Sequence, residues 1–180
     1  MASTLKVNTI AHSGGTNAIT IDSSGRISTP ARPSFKVGLN SSMTSLSSGH
    51  HKLTVTSNFY SGAGTKTSNV NVGGGFDNST YRYTVQKTGI YNLMGNAMLY
   101  NTNTAIRYTE LAIRVNGSVY DDMRWLGSHS DGNSYPDYSG IHGSNLAYLE
   151  ANQYLEFYAY STETFNIGAN DTWFAGYLVG

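Results

Sequence analysis

The sequence predicts an all-β fold, and three observations support this prediction. Apolar and polar residues alternate with a period of two from Leu111 to Val115 and again from Tyr154 to Tyr160. Asn116-Gly117 follows the first of these segments, and this dipeptide favours a tight hairpin because both residues accept positive φ. Gly or Asn interrupts nearly every stretch that is long enough to form a helix.

Nine strands are predicted after residue 34, each bounded by turn-forming residues. In chain order they are Phe35–Leu39, Leu53–Tyr60, Tyr81–Gln86, Ile90–Tyr100, Arg107–Val115, Ser118–Leu126, Gly140–Leu149, Tyr154–Tyr160 and Thr172–Val179. Because no internal repeat is present, this number of strands favours a sandwich or jelly roll over a propeller.

Residues 1–29 are predicted to form a separate small β-arm, a strand followed by a hairpin around the turn Asp22–Gly25. So small a unit cannot form its own core, so it must pair with copies of itself, with the main domain or with a docking partner. Prolines bracket residues 30–33 and predict an extended linker there. The main domain is therefore expected at 34–180.

Composition excludes several classes of function. Eleven acidic residues balance eleven basic ones, so no net charge attracts the chain to nucleic acid or to an anionic membrane. No apolar run approaches the roughly 20 residues of a membrane helix, and the first residues lack the apolar core of a signal peptide. The absence of cysteine excludes disulfides and thiolate metal sites. We expect no nucleic-acid partner and no membrane insertion.

The segment Thr172–Gly180 is aromatic and aliphatic without a polar tail. Such a segment would expose an adhesive sheet edge unless it lies inside a sheet and a partner covers its outer side chains. The sequence therefore predicts that the domain assembles.

Asn71 lies five residues before Phe76, Tyr83 lies seven residues after Phe76, and the segment Gly89-Ile90-Tyr91-Asn92-Leu93 follows. This spacing resembles that of the C1q/TNF-like domain family. That family places Asn or Asp five residues before an aromatic, a second aromatic seven residues later, and then Gly-x-Tyr-x-Phe. Thr65 and Gly95 depart from the outer aromatic positions of the pattern. Thr172–Leu178 is similar to the family's terminal strand, which lies mid-sheet beside a three-fold axis.

This resemblance covers residues 34–180 and implies a C1q/TNF-like jelly roll of about ten antiparallel strands that forms a homotrimer. Strand aromatics are then expected in the core or the trimer interface, because rings that are partly apolar and partly hydrogen-bonding suit subunit contacts. The residues assigned to the interface are Tyr91, Tyr158, Tyr160, Trp173, Phe174 and Tyr177.

The arm contains the segments Leu5–Ile10 and Ala18–Ile27, and the second includes the turn Ile-Asp-Ser-Ser-Gly-Arg. In their order and in this turn they resemble the short β module that opens many tail-fibre-like and other virion proteins of marine bacteriophages. The resemblance implies that the arm docks the protein to other virion proteins of the capsid or tail. The residues assigned to docking are Leu5, Val7, Ile10, Ile19 and Ile21.

The longest polar loop, Leu126–Tyr138, is where ligand recognition is expected, because binding residues are commonly carried on loops. The ligand expected for such a loop is a host surface glycan. The residues assigned to this loop or its border are Trp125, His129, Tyr135 and Tyr138.

No sequence motif identifies a catalytic or metal-binding site among the acids and histidines. Asp121, Asp122, Asp131 and Asp137 could supply calcium ligands or a glycosidase pair, but they have neither an EF-hand spacing nor a motif that pairs them. Among the histidines, only His50 and His51 are adjacent, and they point to opposite faces if the segment is extended. No cofactor, metal or catalytic residue is assigned.

Together these observations predict a non-enzymatic bacteriophage virion protein, made and assembled in the host cytoplasm and located in the virion. Its homotrimeric knob would be either a tail fibre that binds a receptor or a capsid decoration protein. The alternative is a carbohydrate-binding module or a polysaccharide-degrading enzyme.

Overall fold

The computed structural model describes residues 7–11, 13–15, 17–28, 32–57, 70–100, 108–128 and 139–179. These residues form sixteen strands and no helix, which confirms the all-β prediction. None of their segments is a helix long and apolar enough to cross a membrane. The chain divides into two compact units, Met1–Arg32 and Pro33–Gly180.

The first unit is an antiparallel sheet of β1 (Thr9–Ala11), β2 (Asn17–Ile21) and β3 (Ile27–Ser28). Asp22 closes the hairpin between β2 and β3, because its carboxylate accepts hydrogen bonds from the backbone N–H groups of Ser24 and Arg26. Its second oxygen lies 2.7 Å from Arg26 Nε. The backbone and side-chain hydrogen bonds from Arg26 lower the pKa of Asp22.

One face of this small sheet is formed by isoleucines. Ile10 lies opposite Ile19, and Ile21 lies opposite Ile27. Because alternate residues of a strand share a face, all four side chains lie on the same side. Ile10 and Ile27 are at least half exposed.

The second unit contains thirteen strands within the described residues. In chain order these are β4 (Ser34–Leu39), β5 (Met43–Leu46), β6 (Gly49–Lys52), β7 (Val55–Thr56), β8 (Val70–Val72), β9 (Phe76–Asp77), β10 (Arg82–Thr84), β11 (Gly89–Tyr100), β12 (Tyr108–Val115), β13 (Ser118–Ser128), β14 (Ser139–Leu149), β15 (Tyr154–Ser161) and β16 (Phe165–Leu178).

These strands form two sheets. The seven-stranded sheet has the order β14-β11-β16-β4-β7, with β5 paired to β16 and β8 paired to β4. The six-stranded sheet has the order β13-β12-β15-β10-β9, with β6 paired to β15. As predicted, the last strand lies in the middle of its sheet, between β11 and β4. It begins at Phe165 rather than at Thr172.

The core lies between the inner faces of the two sheets. The ring of Phe35 packs 4.2 Å from that of Tyr83, and the ring of Phe157 packs 4.4 Å from that of Phe174, measured between centroids. Each of these pairs joins one sheet to the other. Gly176 makes this packing possible, because a Cβ there would lie 2.6 Å from a ring carbon of Phe35.

The Asn-Gly hairpin is confirmed, with φ of 50° at Asn116 and 80° at Gly117 between β12 and β13. The predicted strand Leu53–Tyr60 is shorter in the structure, where only Val55 and Thr56 are assigned to a strand and residues 58–60 lie outside the described part. Strands β5 and β6 are present in the structure but are not among the predicted strands. Their Ser, Thr and His residues show no alternation of apolar and polar side chains from which a strand could be predicted.

The structure explains the spacing between Asn71 and Phe76. The side-chain amide of Asn71 donates to Phe76 O at 3.2 Å, and its oxygen accepts from Phe76 N at 3.0 Å. Asn71 therefore closes the turn that carries the buried ring of Phe76 into the core.

Replacing Asn71 by Ala is expected to lower the free energy of unfolding by about 1–3 kcal/mol, because the backbone groups of Phe76 lose both partners. Urea denaturation followed by circular dichroism measures this change. Substitution of the exposed Asn40 by Ala is the matched control. Equal stability of the two variants would contradict the assigned role.

Candidate functional site

The outer face of β14, β11, β16 and β4, named here the front face, has an apolar end. In this end Ile90 lies opposite Tyr148, and Asn92 lies opposite both Leu146 and Tyr177. Val179 joins the group because its N–H donates to Ile90 O. The large apolar side chains of the apolar end are 40–67% exposed: Val72, Ile90, Leu146, Tyr148, Tyr177 and Val179.

The described side chains of the apolar end carry no charge. Its second row runs across five strands and alternates apolar and neutral polar residues, from Leu146 through Asn92, Tyr177 and Ser34 to Val72. A surface on which several large apolar side chains are exposed close together is typical of an interaction site.

The other end of the front face holds a surface pocket of about 420 Å³, named here the front pocket. It is lined by Met94, Gly95, Asn96, His142, Gly143, Ser144 and Trp173. The strand register brings these residues together, because Asn96 lies opposite both His142 and Trp173.

The outer face of the six-stranded sheet, named here the back face, is charged. Glu156 lies 2.5 Å from Lys52 Nζ and 2.9 Å from Arg82 Nε, and Glu110 lies 2.5 Å from a guanidinium nitrogen of Arg124. Both carboxylates are buried beneath their partners. Burial raises the pKa of Glu156, but the hydrogen bonds from Lys52 and Arg82 outweigh it and leave the pKa below its usual value.

Aromatic rings cover this charged layer. The guanidinium of Arg114 lies 3.9 Å from the ring centroid of Tyr158, and the ring of His50 lies 4.7 Å from that of Tyr160. Burial lowers the pKa of His50, against the attraction of Glu110. Among the side chains that the structure describes on the back face, Leu126 is the one large apolar group that is exposed. The two outer faces therefore differ sharply in chemistry.

The structure places the six predicted interface aromatics in three environments: the front face, the back face and the core. Trp173 and Tyr177 lie on the front face, whereas Tyr158 and Tyr160 lie on the back face. Tyr91 and Phe174 are fully buried between the sheets. Tyr91 and Phe174 therefore belong to the core, one of the two places expected for strand aromatics, because a side chain that its own chain buries has no surface left for a partner. The interface assignment of the other four aromatics stays a prediction.

The predicted ligand loop also needs a correction. Trp125 lies within β13 and packs against the core. A Cβ at Gly143 would lie 1.9 Å from its indole, and a Cβ at Gly95 would lie 3.0 Å from it, so the ring lies against these two glycines. Trp125 is thus a packing residue between the sheets. His129, Tyr135 and Tyr138 lie outside the described residues.

The candidate acids and histidines form no described metal site. Asp131, Asp137 and His12 lie outside the described residues, as do the side chains of Asp121 and Asp122. No group of three potential metal ligands occurs in the part of the chain that the structure describes. As expected for an extended segment, His50 contacts Tyr160 on the back face and His51 packs edge-on against Phe165.

The predicted docking residues lie partly within the described arm. Ile10, Ile19 and Ile21 share its isoleucine face with Ile27, which was not predicted. Val7 is half-buried, and Leu5 lies outside the described residues. The docking role itself stays a prediction.

No protein-family model and no curated protein matches the sequence. Solved structures do match the fold. Murine APRIL, a TNF-family protein, matches in its pH 8.0 and pH 5.0 structures with TM-scores of 0.56 and 0.57, at 10% identity over 82% of this chain and 99% of that one. The chain has the C1q/TNF-like jelly-roll fold. The globular domain of zebrafish complement 1qA also matches, with a TM-score of 0.48, 14% identity and coverage of 82% and 98%.

The strand order of the second unit is that of two packed antiparallel sheets between which the chain alternates. Sequence neighbours such as β11 and β12 lie in different sheets, and the last strand returns to the middle of the seven-stranded sheet. Each sheet of the jelly roll therefore has its own outer face. The front face is apolar at one end, and the back face is charged.

A separate acid-sensitive element lies in the jelly roll at Asp77. Hydrogen bonds from the Ser79 hydroxyl and backbone N–H, and from the Thr80 hydroxyl, lower the pKa of Asp77 to about 2. Because the folded pKa lies below the ordinary value of 3.8, this turn adds stability above about pH 4. That contribution is lost as the pH falls toward 2.

We therefore expect the melting temperature of the wild type to fall more steeply between pH 5 and pH 2.5 than that of an Asp77→Asn variant. The neutral amide cannot be protonated in this range. Thermal melts followed by circular dichroism at the two pH values measure the difference. Glu150→Gln, at another exposed position, is the control and should melt like the wild type. Parallel curves for Asp77→Asn and the wild type would refute the assignment.

Proposed function

We propose that this chain is a non-enzymatic structural protein of a bacteriophage particle, built as a homotrimer that its N-terminal arm docks to the particle. The apolar end of the front face carries the self-association. Burying large apolar side chains that are about half exposed stabilises an assembly by roughly 1 kcal/mol each. The six such side chains in each copy together favour self-association.

The chemistry of the apolar end favours a second copy of the same chain as its occupant. In a homotrimer the same end of the front face can point toward the three-fold axis in every copy, so that no charge is buried there without a partner. A charged partner would find no complementary charge among the side chains of the apolar end. The back face is less suited to subunit contact, because its carboxylates already have partners within the chain. A three-fold rather than a two-fold assembly is supported by the resemblance of residues 34–180 to C1q/TNF-like domains.

The proposed virion role rests on the arm. Its sequence resembles the opening module of marine phage virion proteins, and its isoleucine face is chemically suited to another protein surface. Apolar side chains that remain exposed on a three-stranded sheet favour docking, since so small a sheet is only marginally stable alone.

Two placements in the particle are compatible with this proposal. A tail fibre would use the jelly roll to bind host glycan, and a capsid decoration protein would use it to brace the lattice. Quantitative mass spectrometry of purified virions separates them, because hundreds of copies exclude a tail tip and a few copies exclude capsid-wide decoration. Absence of the chain from purified virions would overturn the virion role.

The rival enzymatic function is a polysaccharide-degrading activity that uses Asp121 or Asp122. Turnover of the host polysaccharide by the wild type, lost in Asp121→Asn or Asp122→Asn, would establish the rival. Lack of turnover at high protein concentration would support the non-enzymatic function.

A further inference from the structure

The front pocket is an open, shallow depression that could hold one small group. Its volume is about 420 Å³, which is close to the lower end of the roughly 300–1,000 Å³ of small-molecule sites. Trp173 is half-buried and supplies a flat apolar wall, and Met94 adds a second apolar group. Asn96, His142 and Ser144 bring an amide, an imidazole and a hydroxyl to the same pocket.

An irregularity in the sheet borders the pocket. Between the pairs Asn96–Trp173 and Met98–Gly168, β11 has one residue and β16 has four, so β16 leaves the regular ladder beside Trp173. Two hydrogen bonds hold this excursion, one from the Asn96 amide to Asp171 O and one from Met98 N to the Thr172 hydroxyl at 3.3 Å. Bulges beside sites are a common device for re-aiming a side chain.

The pocket is distinct from the apolar end. Along β11 the front face changes from Ile90 and Asn92 to Met94 and Asn96, and along β14 it changes from Tyr148 and Leu146 to Ser144 and His142. The exposed large apolar side chains lie in the first half of each series. An assembly through the apolar end therefore leaves the polar half of the face available to a ligand.

From this arrangement we propose that the front pocket binds a saccharide. A pyranose has one face of C–H groups, which stacks on an aromatic ring, and a rim of hydroxyls, which both donate and accept hydrogen bonds. Trp173 offers the ring, and Ser144 and His142 offer exposed polar groups. Asn96 uses one N–H toward Asp171, and an amide has a second N–H and a carbonyl oxygen for a ligand.

Charge agrees with this class of ligand. Among the described residues that line the pocket, His142 is the only ionisable one. A phosphate-rich ligand would need several cations, whereas among the described residues the cation located beside Trp173 is Lys36, whose ammonium lies 5.3 Å from the ring centroid. A neutral or singly acidic sugar fits this environment.

Saccharide binding would supply the ligand for the receptor-binding role proposed above. It rests on the proposed function in one respect: the homotrimer must leave the end of the front face that holds the front pocket accessible. Saturation-transfer difference NMR on the full chain tests it with D-glucose, D-galactose, N-acetyl-D-glucosamine and D-glucuronic acid. At least one sugar should give saturable transfer, strongest at its ring C–H protons. A complete lack of saturable transfer with all four overturns the proposal.

Three variants make this test specific. Trp173→Ala should weaken binding by about tenfold or more, which corresponds to about 1.4 kcal/mol or more, because the variant loses the flat apolar wall on which the sugar is proposed to stack. Trp173→Phe should retain most of the affinity, because a flat ring remains. Leu126→Ala, which removes an exposed side chain on the back face, should bind as the wild type does. Circular dichroism confirms that each variant is folded, and wild-type affinity in Trp173→Ala overturns the proposal.

Sedimentation of the same samples separates the two proposals. Sugar binding by a stable monomer would retain the pocket and refute the trimer. A trimer that binds none of the four sugars would retain the assembly and refute the pocket.

Discussion

Replacing Leu146 and Tyr177 together by Glu is expected to convert the proposed homotrimer into a folded monomer. Both side chains belong to the apolar end and are exposed in the single chain, so the domain loses little packing. The one described hydrogen bond that is lost joins the Asn92 amide to the Tyr177 hydroxyl at 3.1 Å. Two carboxylates per copy would have to be desolvated in the interface, at a cost of several kcal/mol.

Sedimentation equilibrium measures this change, and the dissociation constant should rise by at least about a thousandfold, which corresponds to roughly 4 kcal/mol. Leu126→Glu is the matched control, because it introduces the same charge at an exposed leucine of the back face and should remain trimeric. A double variant that stays trimeric would show that the apolar end is not the interface. A monomeric wild type would refute the proposed assembly as a whole.

Replacing Gly143 by Ala is expected to lower the free energy of unfolding by about 3 kcal/mol or more. The new Cβ would lie 1.9 Å from the indole of Trp125, and the ring has little freedom to move because it also contacts the backbone at Gly95. Overpacking of a core typically costs 1–3 kcal/mol. We expect the upper end of that range or slightly more, because the ring of Trp125 lies against both β14 at Gly143 and β11 at Gly95 and cannot easily move away.

Urea denaturation of Gly143→Ala and Gly140→Ala measures the effect. Both substitutions are on β14, but a Cβ at Gly140 meets no atom within 4 Å, so this control should change stability by less than about 0.5 kcal/mol. Adding Trp125→Leu to Gly143→Ala should recover part of the loss, because the smaller side chain removes the clash. Similar stabilities for the two glycine variants would contradict the packing described here.

Local patterns in the sequence predict much of the fold. The alternation around Leu111 and Tyr154 predicts strands with one buried face, and Asn116-Gly117 predicts the hairpin, because these signals depend on neighbouring residues alone. The spacing of Asn71 and Phe76 belongs to the same class, since one side chain closes one turn.

The surfaces could be predicted less well. Trp173 and Phe174 are adjacent in a strand and must point to opposite faces, so the period of two already argues against placing both in one interface. The position of Trp125 depends on Gly95 and Gly143, which belong to other strands, so no local pattern reveals it. The front pocket likewise exists only because the register of three strands places His142, Asn96 and Trp173 in one row.

The central place of β16 has a consequence for biosynthesis. Strands β11 and β4 each pair with β16, which follows both of them in the chain. During translation neither strand can complete its ladder until Phe165–Leu178 has left the ribosome, so the seven-stranded sheet closes only after residues 1–164 have been made. Nascent chains interrupted before β16 would carry two long unpaired strand edges, which makes them natural substrates for chaperones or proteases.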